Sequence, residues 1–115
     1  MRRGLICVGL VALACSHTIP LTPPAADDEE SARSGDRRAT ELEQRLSVLT
    51  SGATPPDCAQ ICDLVEQICD LSRRVCAIAD RHPDDADLAS RCAAGEQRCR
   101  RSRDRVPDGC SCPAP

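Results

Sequence analysis

Cysteine has the widest chemical range of any residue type in this sequence, because its thiol can form a disulfide, bind a soft metal or carry a lipid. Ten cysteines occur in 115 residues, a density typical of exported domains stabilised by disulfides. No C-x-x-C pair occurs, which argues against zinc-ribbon and thioredoxin-type sites. Two cysteines lie near the start and eight in the second half: Cys7 and Cys15, then Cys58, Cys62, Cys69, Cys76, Cys92, Cys99, Cys110 and Cys112.

The first residues indicate the compartment in which these thiols lie. Arg2 and Arg3 precede an apolar run over residues 4–14, which is the pattern of a secretory signal. That run is too short to span a membrane, because a spanning helix needs roughly 20 residues. We therefore expect residues 1–14 to be a signal peptide that directs the protein out of the cytoplasm.

The end of this leader, Ala12-Leu13-Ala14-Cys15, resembles the lipobox of bacterial lipoproteins, with Ala12 where leucine is commonest. The resemblance implies cleavage before Cys15 and a diacylglyceryl group on its thiol. The mature protein would then be anchored to the bacterial cell envelope, at the outer membrane in a Gram-negative cell.

Ala12, Leu13 and Ala14 also fit the A-x-A pattern of an ordinary signal-peptidase site. The number of cysteines discriminates between the two alternatives. Ordinary cleavage leaves nine cysteines, whereas lipidation of Cys15 leaves an even set of eight, which suits an oxidising compartment. We therefore favour lipidation.

Residues 15–38 contain prolines and an acidic run but no apolar period. Such a segment buries too little apolar surface to fold, so we expect a lipidated, flexible tether. A small cysteine-rich helical domain is then expected over residues 39–115. Its first helix is predicted to be short, over residues 40–50, with Thr40 and Glu43 forming a capping box.

The second predicted helix is the longest. Thr54 is expected to cap it, with proline in the first turn, and it extends to about Asp80. Apolar residues recur every three or four positions along it and define a seam: Ile61, Leu64, Ile68, Leu71, Val75 and Ile78.

A third helix is expected after a break at Pro83. Asp84, Asp85 and Asp87 supply acids for its N-terminal turn, and Pro107 stops it.

The end of the third helix is rich in arginine, and His82 precedes the break. Cations are favoured at a helix C-terminus, so we expect a solvated basic end. The alternative is a docking patch for phosphate groups, an acidic polysaccharide or an acidic protein. We expect His82 to be a turn residue without a partner. The arginines are Arg98, Arg100, Arg101, Arg103 and Arg105.

Two disulfides follow from the spacing of the cysteines. Residues that face each other in an antiparallel hairpin have numbers with a constant sum, and Cys69 with Cys99 gives the same sum as Cys76 with Cys92. The centre of that sum lies near the predicted turn at residues 81–85. We therefore expect the disulfides Cys69–Cys99 and Cys76–Cys92, since facing Cα atoms can come within the roughly 4.4–6.8 Å that a disulfide needs.

The remaining four cysteines lie at the other end of the hairpin. By elimination they pair with each other, with Cys58 joined to either Cys110 or Cys112 and Cys62 to the remaining one. The alternative is that these thiols stay reduced and bind Cu(I), which prefers sulfur ligands. Exported copper-storage proteins are helical bundles lined with cysteines, but theirs cluster at three and four residues, whereas most here are seven apart.

Residues 58–99 partly resemble the coiled-coil-helix-coiled-coil-helix proteins, whose cysteines pair across two helices. Those families have twin gaps of three or nine residues, whereas this chain has one gap of three and three gaps of six. The resemblance implies an all-α, disulfide-stapled antiparallel hairpin, here with a short additional N-terminal helix, and implies nothing about function.

Several function classes are disfavoured. The net charge of -3 argues against nucleic acid as a partner. No nucleophile with a base and an orienting group can be named, so we expect neither enzymatic activity nor a cofactor.

The apolar seam suggests how the domain acts. The third helix offers too few large side chains to cover the seam, and the short first helix covers only part of it. We expect the remainder to contact a second copy or another envelope protein. The sequence therefore favours an envelope lipoprotein with a structural or protein-interaction role, with soft-metal binding or storage as the alternative.

Overall fold

The computed structural model describes residues 24–52 and 55–114. They form three α-helices and no strand: α1 (Pro24–Thr50), α2 (Cys58–Arg81) and α3 (Ala86–Asp104). Each helix packs against the other two, and α2 with α3 forms the predicted hairpin. The all-α fold is confirmed. None of the described helices combines the length and the apolar character needed to cross a membrane. The expected signal peptide and Cys15 lie outside the described residues.

Helix α1 is much longer than the short helix that the sequence predicts. It begins at Pro24, so the expectation of a flexible tether is wrong for residues 24–38, while residues 15–23 lie outside the described part. Small residues continue the apolar period towards the N-terminus, since Ala32 and Ala39 are buried. A Cβ atom at Gly35 would lie 3.2 Å from a methyl group of Val75 on α2. Alanine and glycine add little apolar surface to a sequence pattern, but they allow two helices to approach closely.

The caps differ in two places from the prediction. Asp57 caps α2, because its side chain accepts a hydrogen bond from the backbone N–H of Gln60 at 3.1 Å. Thr54, the predicted cap, lies outside the described residues. Thr40 lies inside α1 and begins no helix, since its hydroxyl donates to a backbone carbonyl one turn earlier. Asp85 caps α3 through the N–H of Leu88, as the acidic turn predicts.

The apolar seam of α2 is covered by α1. Leu42 and Leu46 of α1 are buried in one cluster with the seam residues nearest the start of α2, and Ala32 lies in a second cluster with Val75 and Ile78. Because α1 is 27 residues long, it buries five of the six seam residues and leaves only Leu71 half-buried. The prediction of a large exposed remainder of the seam is therefore wrong. Among the described residues, the only large hydrophobic side chain that is exposed is Val48, at 72%.

Candidate functional site

Two disulfides join α2 to α3 along the middle of the hairpin. The Cα atoms of Cys69 and Cys99 are 4.7 Å apart, and those of Cys76 and Cys92 are 4.5 Å apart. These are the two pairs that the equal sums predict. Both separations are at the short end of the range for disulfides, so the two helices lie unusually close together here.

Small residues between these two disulfides permit the close approach. Gly95 of α3 lies against Ser72 of α2, and both are buried. A Cβ atom at Gly95 would lie 3.1 Å from the Ser72 hydroxyl oxygen and 3.4 Å from its Cα. A larger residue at position 95 would therefore require Ser72 or the stapled helices to shift by a few tenths of an ångström.

The C-terminal tail is joined to the start of α2 by the other two disulfides. Cys58 pairs with Cys110 and Cys62 with Cys112, at Cα separations of 5.3 and 5.2 Å. The sequence left the order of these pairs open, and the structure assigns it. A turn in which the Cys110 N–H donates to the carbonyl of Pro107 at 2.9 Å brings the tail back towards α2. Joined in this way, the four sulfurs offer no thiolate to Cu(I).

The two central disulfides differ in their surroundings. Cys69 and Cys99 are 3% and 9% exposed, whereas Cys76 and Cys92 are half-buried. One carboxylate oxygen of Glu96 lies 3.7 Å from the sulfur of Cys76 and 3.8 Å from that of Cys92. Sequence analysis missed Glu96, although it follows Cys92 by four residues and so shares its helix face.

Acidic residues on α1 bind arginines on α3. Arg91 donates to Asp36 at 2.5 Å, and Arg98 donates to Glu43 at 3.1 Å. The Arg98 side chain is 17% exposed, so the expectation of a solvated basic end is wrong at this position. Hydrogen bonds to Asp87 and Asp36 raise the pKa of Arg91. Both the acids and the arginines are seven residues apart, and this matched spacing is a signal that sequence analysis did not use.

A third acid on α1 binds the turn of the hairpin. Asp28 accepts a hydrogen bond from Arg81 at 2.9 Å, and its other oxygen lies 2.6 Å from Nε2 of His82. Two hydrogen bonds lower the pKa of Asp28. The one with Arg81 is the larger cause, and the one with His82 is the second. The expectation that His82 has no partner is therefore wrong. This contact fixes the N-terminal half of α1 to the turn between α2 and α3.

A groove of about 910 Å³ lies between α2, α3 and the tail. No residue of α1 lines it, because the α2 residues facing it lie on a different side of the helix from the apolar seam. Val65 and the Cys69–Cys99 disulfide contribute apolar surface, while acids and arginines from both helices contribute charge. The charged residues that line it are Asp63, Glu66, Arg73, Glu96, Arg100 and Arg103.

The predicted basic cluster is therefore divided. Arg98 turns towards α1, and Arg101 lies 3.7 Å from Glu43. Arg100 and Arg103 instead line the groove. Only the latter two are placed to meet a ligand that enters it.

No family model, curated protein or solved structure matches this chain. Its function is therefore inferred from its own sequence and geometry.

Proposed function

We propose that this chain is the precursor of a bacterial envelope lipoprotein, anchored through lipid on Cys15, whose mature domain has a structural or protein-interaction role. The observation that carries the proposal is the closed set of four disulfides between residues 58 and 112. Structural disulfides in this number are typical of proteins that fold in an oxidising compartment. Export through the predicted leader takes the chain to such a compartment.

The disulfides also support lipidation of Cys15. Because the eight cysteines of the domain pair with one another, the domain needs no partner from the leader. Cys15 is then available for the diacylglyceryl group that the lipobox-type segment implies. Cys7 lies inside the expected signal peptide and would be removed with it.

The length of chain before α1 limits how far the domain can lie from the membrane. Eight residues lie between Cys15 and Pro24, so nine Cα–Cα steps join them. A fully extended chain spans at most about 3.3–3.6 Å per step, or roughly 30 Å here. Since Asp28 holds this end of α1 against the turn of the hairpin, the turn would lie nearest the membrane. The tail and the groove would then face away from it.

The groove is the surface that we assign to contact with a partner. The apolar seam offers little surface for this contact, because α1 buries five of its six residues and only Leu71 is half-buried. The groove combines apolar surface with charges of both signs, a composition suited to a protein surface rather than to nucleic acid. A second copy or another envelope protein would dock there, held in reach by the membrane.

The anchor is tested by changing Cys15 to Ala in the full-length precursor. We expect the variant to lose lipid mass and to leave the membrane fraction or remain unprocessed. Cys7→Ala is the matched control, because it alters a leader cysteine without altering the lipidation site. Unchanged detergent partitioning and unchanged mass of the Cys15→Ala protein would contradict the proposal.

The contact surface is tested by site-specific photo-crosslinking in the intact envelope. A crosslinker at Ala59, which lines the groove, should yield a discrete product, at twice the protomer mass if the partner is a second copy. The control position is Val48, which is exposed on α1 outside the groove. If neither position yields a discrete product, the interaction role fails and the structural role alone remains.

A further inference from the structure

The Cys76–Cys92 disulfide has a carboxylate beside both of its sulfur atoms. Cys92 and Glu96 lie one helical turn apart on α3, and Cys76 faces them from α2. The three ligand atoms, two sulfurs and one oxygen, all lie within 4.8 Å of one another. No other cluster of this kind occurs among residues 24–52 and 55–114.

The carboxylate lies at the distance from the sulfurs that a shared metal ion requires. Zinc binds thiolate at about 2.3 Å and carboxylate at about 2.0–2.2 Å in tetrahedral geometry, which places sulfur and oxygen about 3.6 Å apart and two sulfurs about 3.8 Å apart. The observed separations from Glu96 are 3.7 Å to Cys76 and 3.8 Å to Cys92. Only the two sulfurs must move, and breaking the bond between them allows that movement.

We propose that reduction of the Cys76–Cys92 disulfide creates a site for a zinc-like divalent cation, bound by both thiolates and by Glu96. An external dithiol supplies two electrons and two protons and is itself oxidised to a disulfide, leaving two cysteine thiols. The cation then displaces the two thiol protons. Water completes the coordination, since the described structure brings three ligand atoms together and the fourth position faces solvent.

The surroundings of this disulfide favour its reduction over that of its neighbour. Cys76 and Cys92 are half-buried, so a dithiol can reach them, whereas Cys69 and Cys99 are buried. The buried Cys69–Cys99 disulfide would still join α2 to α3 while this one is open. Because the cation contacts the same two side chains, it restores a link between the helices at the same place.

The site is tested by binding Cd²⁺, a spectroscopic substitute for zinc, to the mature protein. The protein is first treated briefly with a dithiol, which is then removed in the absence of oxygen. One portion of the sample is alkylated to map the reduced cysteines, and the rest is used for Cd²⁺ binding. The chain has no Phe, Tyr or Trp, so the ultraviolet thiolate-to-cadmium band appears against little protein absorbance. Cys62 and Cys112 are half-buried as well, so we expect Cys76 and Cys92 to be among the reduced cysteines. We expect one Cd²⁺ to bind per chain, at the site that contains Glu96.

Glu96→Gln is the decisive variant, and Glu66→Gln is its control because Glu66 lines the same groove away from these sulfurs. Loss of an outer-shell partner that only orients a metal ligand typically weakens affinity by about 10–100-fold. Glu96→Gln removes a direct ligand, so we expect it to weaken affinity by at least about 10-fold. The control should bind like the native protein. Circular dichroism of each reduced sample verifies that the helices remain.

Three results would overturn the proposal. The first is equal Cd²⁺ affinity for Glu96→Gln and the native protein. The second is no Cd²⁺ binding after alkylation has shown both thiols to be reduced. The third is loss of the helices on reduction that the cation does not reverse.

Discussion

Helix α1 and the α2–α3 hairpin are held in the domain by different means. Four disulfides join α2, α3 and the tail, whereas none involves a described residue of α1. The buried residues of α3 are Leu88, Gly95, Cys99 and Ser102, so α3 contributes only one large apolar side chain, Leu88, to the core. α1 instead contributes the buried leucines Leu42 and Leu46 and the acids that bind arginines. The difference shows that covalent links substitute for large side chains in one interface and that packing and charge suffice in the other.

This difference has a dynamic consequence. Segments of a protein open separately when the contacts holding them are fewer or weaker than those in the rest of the molecule. α1 can leave the hairpin without breaking a covalent bond, whereas α3 cannot leave α2. We therefore expect α1 to open at a lower free energy than the hairpin.

Of the two disulfides that join α2 to α3, Cys69–Cys99 should have the larger effect on stability when it is removed. The Cys69–Cys99 pair closes a segment with a sequence separation of 30, and the loop-entropy relation gives about 3.5–4 kcal/mol for replacing both cysteines with serine. The corresponding change at Cys76 and Cys92, with a separation of 16, should cost about 3 kcal/mol. Urea unfolding measures both values. A loss below about 1 kcal/mol for the Cys69–Cys99 pair would show that packing and the other disulfides maintain the hairpin without it.

Truncating a leucine of α1 should have the next largest effect and should remain local. Leu46 is 0% exposed, so Leu46→Ala should cost about 2–4 kcal/mol by leaving a cavity. Circular dichroism during urea titration should show α1 unfolding before α2 and α3. Val48→Ala, at a position that is 72% exposed, is the control and should change stability by no more than about 0.5 kcal/mol. Simultaneous loss of all three helices in the Leu46→Ala protein would contradict independent opening.

Acid should release the N-terminal half of α1. The hydrogen bond from Arg81 holds the pKa of Asp28 below its ordinary value of 3.8. A carboxylate with a depressed pKa stabilises the folded state above the unfolded-state pKa, and this stabilisation is lost as pH falls through the lower folded-state value. The protection of amides near residue 28, measured relative to their intrinsic exchange rate at each pH, should therefore decrease below pH 3.8.

Asp28→Asn should remove part of this acid dependence. Asp27→Asn is the control, since Asp27 is exposed and forms no ion pair with the described residues. An identical pH profile for native protein and Asp28→Asn would show that this contact does not hold α1.

Replacing Gly35 or Gly95 with alanine should give the smallest changes in stability, and the two changes should differ. Alanine favours a helix over glycine by about 0.8–1.0 kcal/mol. At Gly35 the new Cβ meets a side-chain methyl of Val75, and α1 can shift slightly, so most of that gain should appear. At Gly95 it meets Ser72, including its backbone, where two disulfides prevent the helices from separating. Urea unfolding should show stabilisation for Gly35→Ala and none for Gly95→Ala, and the reverse order would contradict the account.

The sequence could predict those parts of the structure that depend on local helix caps and breaks or on the spacing of the cysteines. The hairpin was predictable because equal sums, the proline break and Asp85 all place the turn in the same region. The extent of α1 was not predictable from apolar periodicity, because Ala32, Gly35 and Ala39 bury well but carry little apolar surface. The pairing of the tail depends on the local turn near Pro107, which cysteine spacing does not encode.

The charged contacts needed knowledge of which faces meet. The seven-residue spacing of Asp36 with Glu43, and of Arg91 with Arg98, is visible in the sequence. It becomes a prediction of pairing only when α1 is known to extend beyond residue 40 and to lie against α3. Glu96 was missed for a similar reason, since its contact with Cys76 comes from the neighbouring helix.

Hydrogen exchange of the oxidised native protein tests the central claim most directly. Amides of α1 and of α2 are compared in the same sample, with denaturant well below the unfolding midpoint, so that local and global opening can be separated. We predict that the amides around Leu42 and Leu46 exchange through an opening of lower free energy than those around Ile68 and Cys69. Equal opening free energies for both helices would show that α1 and the hairpin unfold as one unit, and would contradict the account.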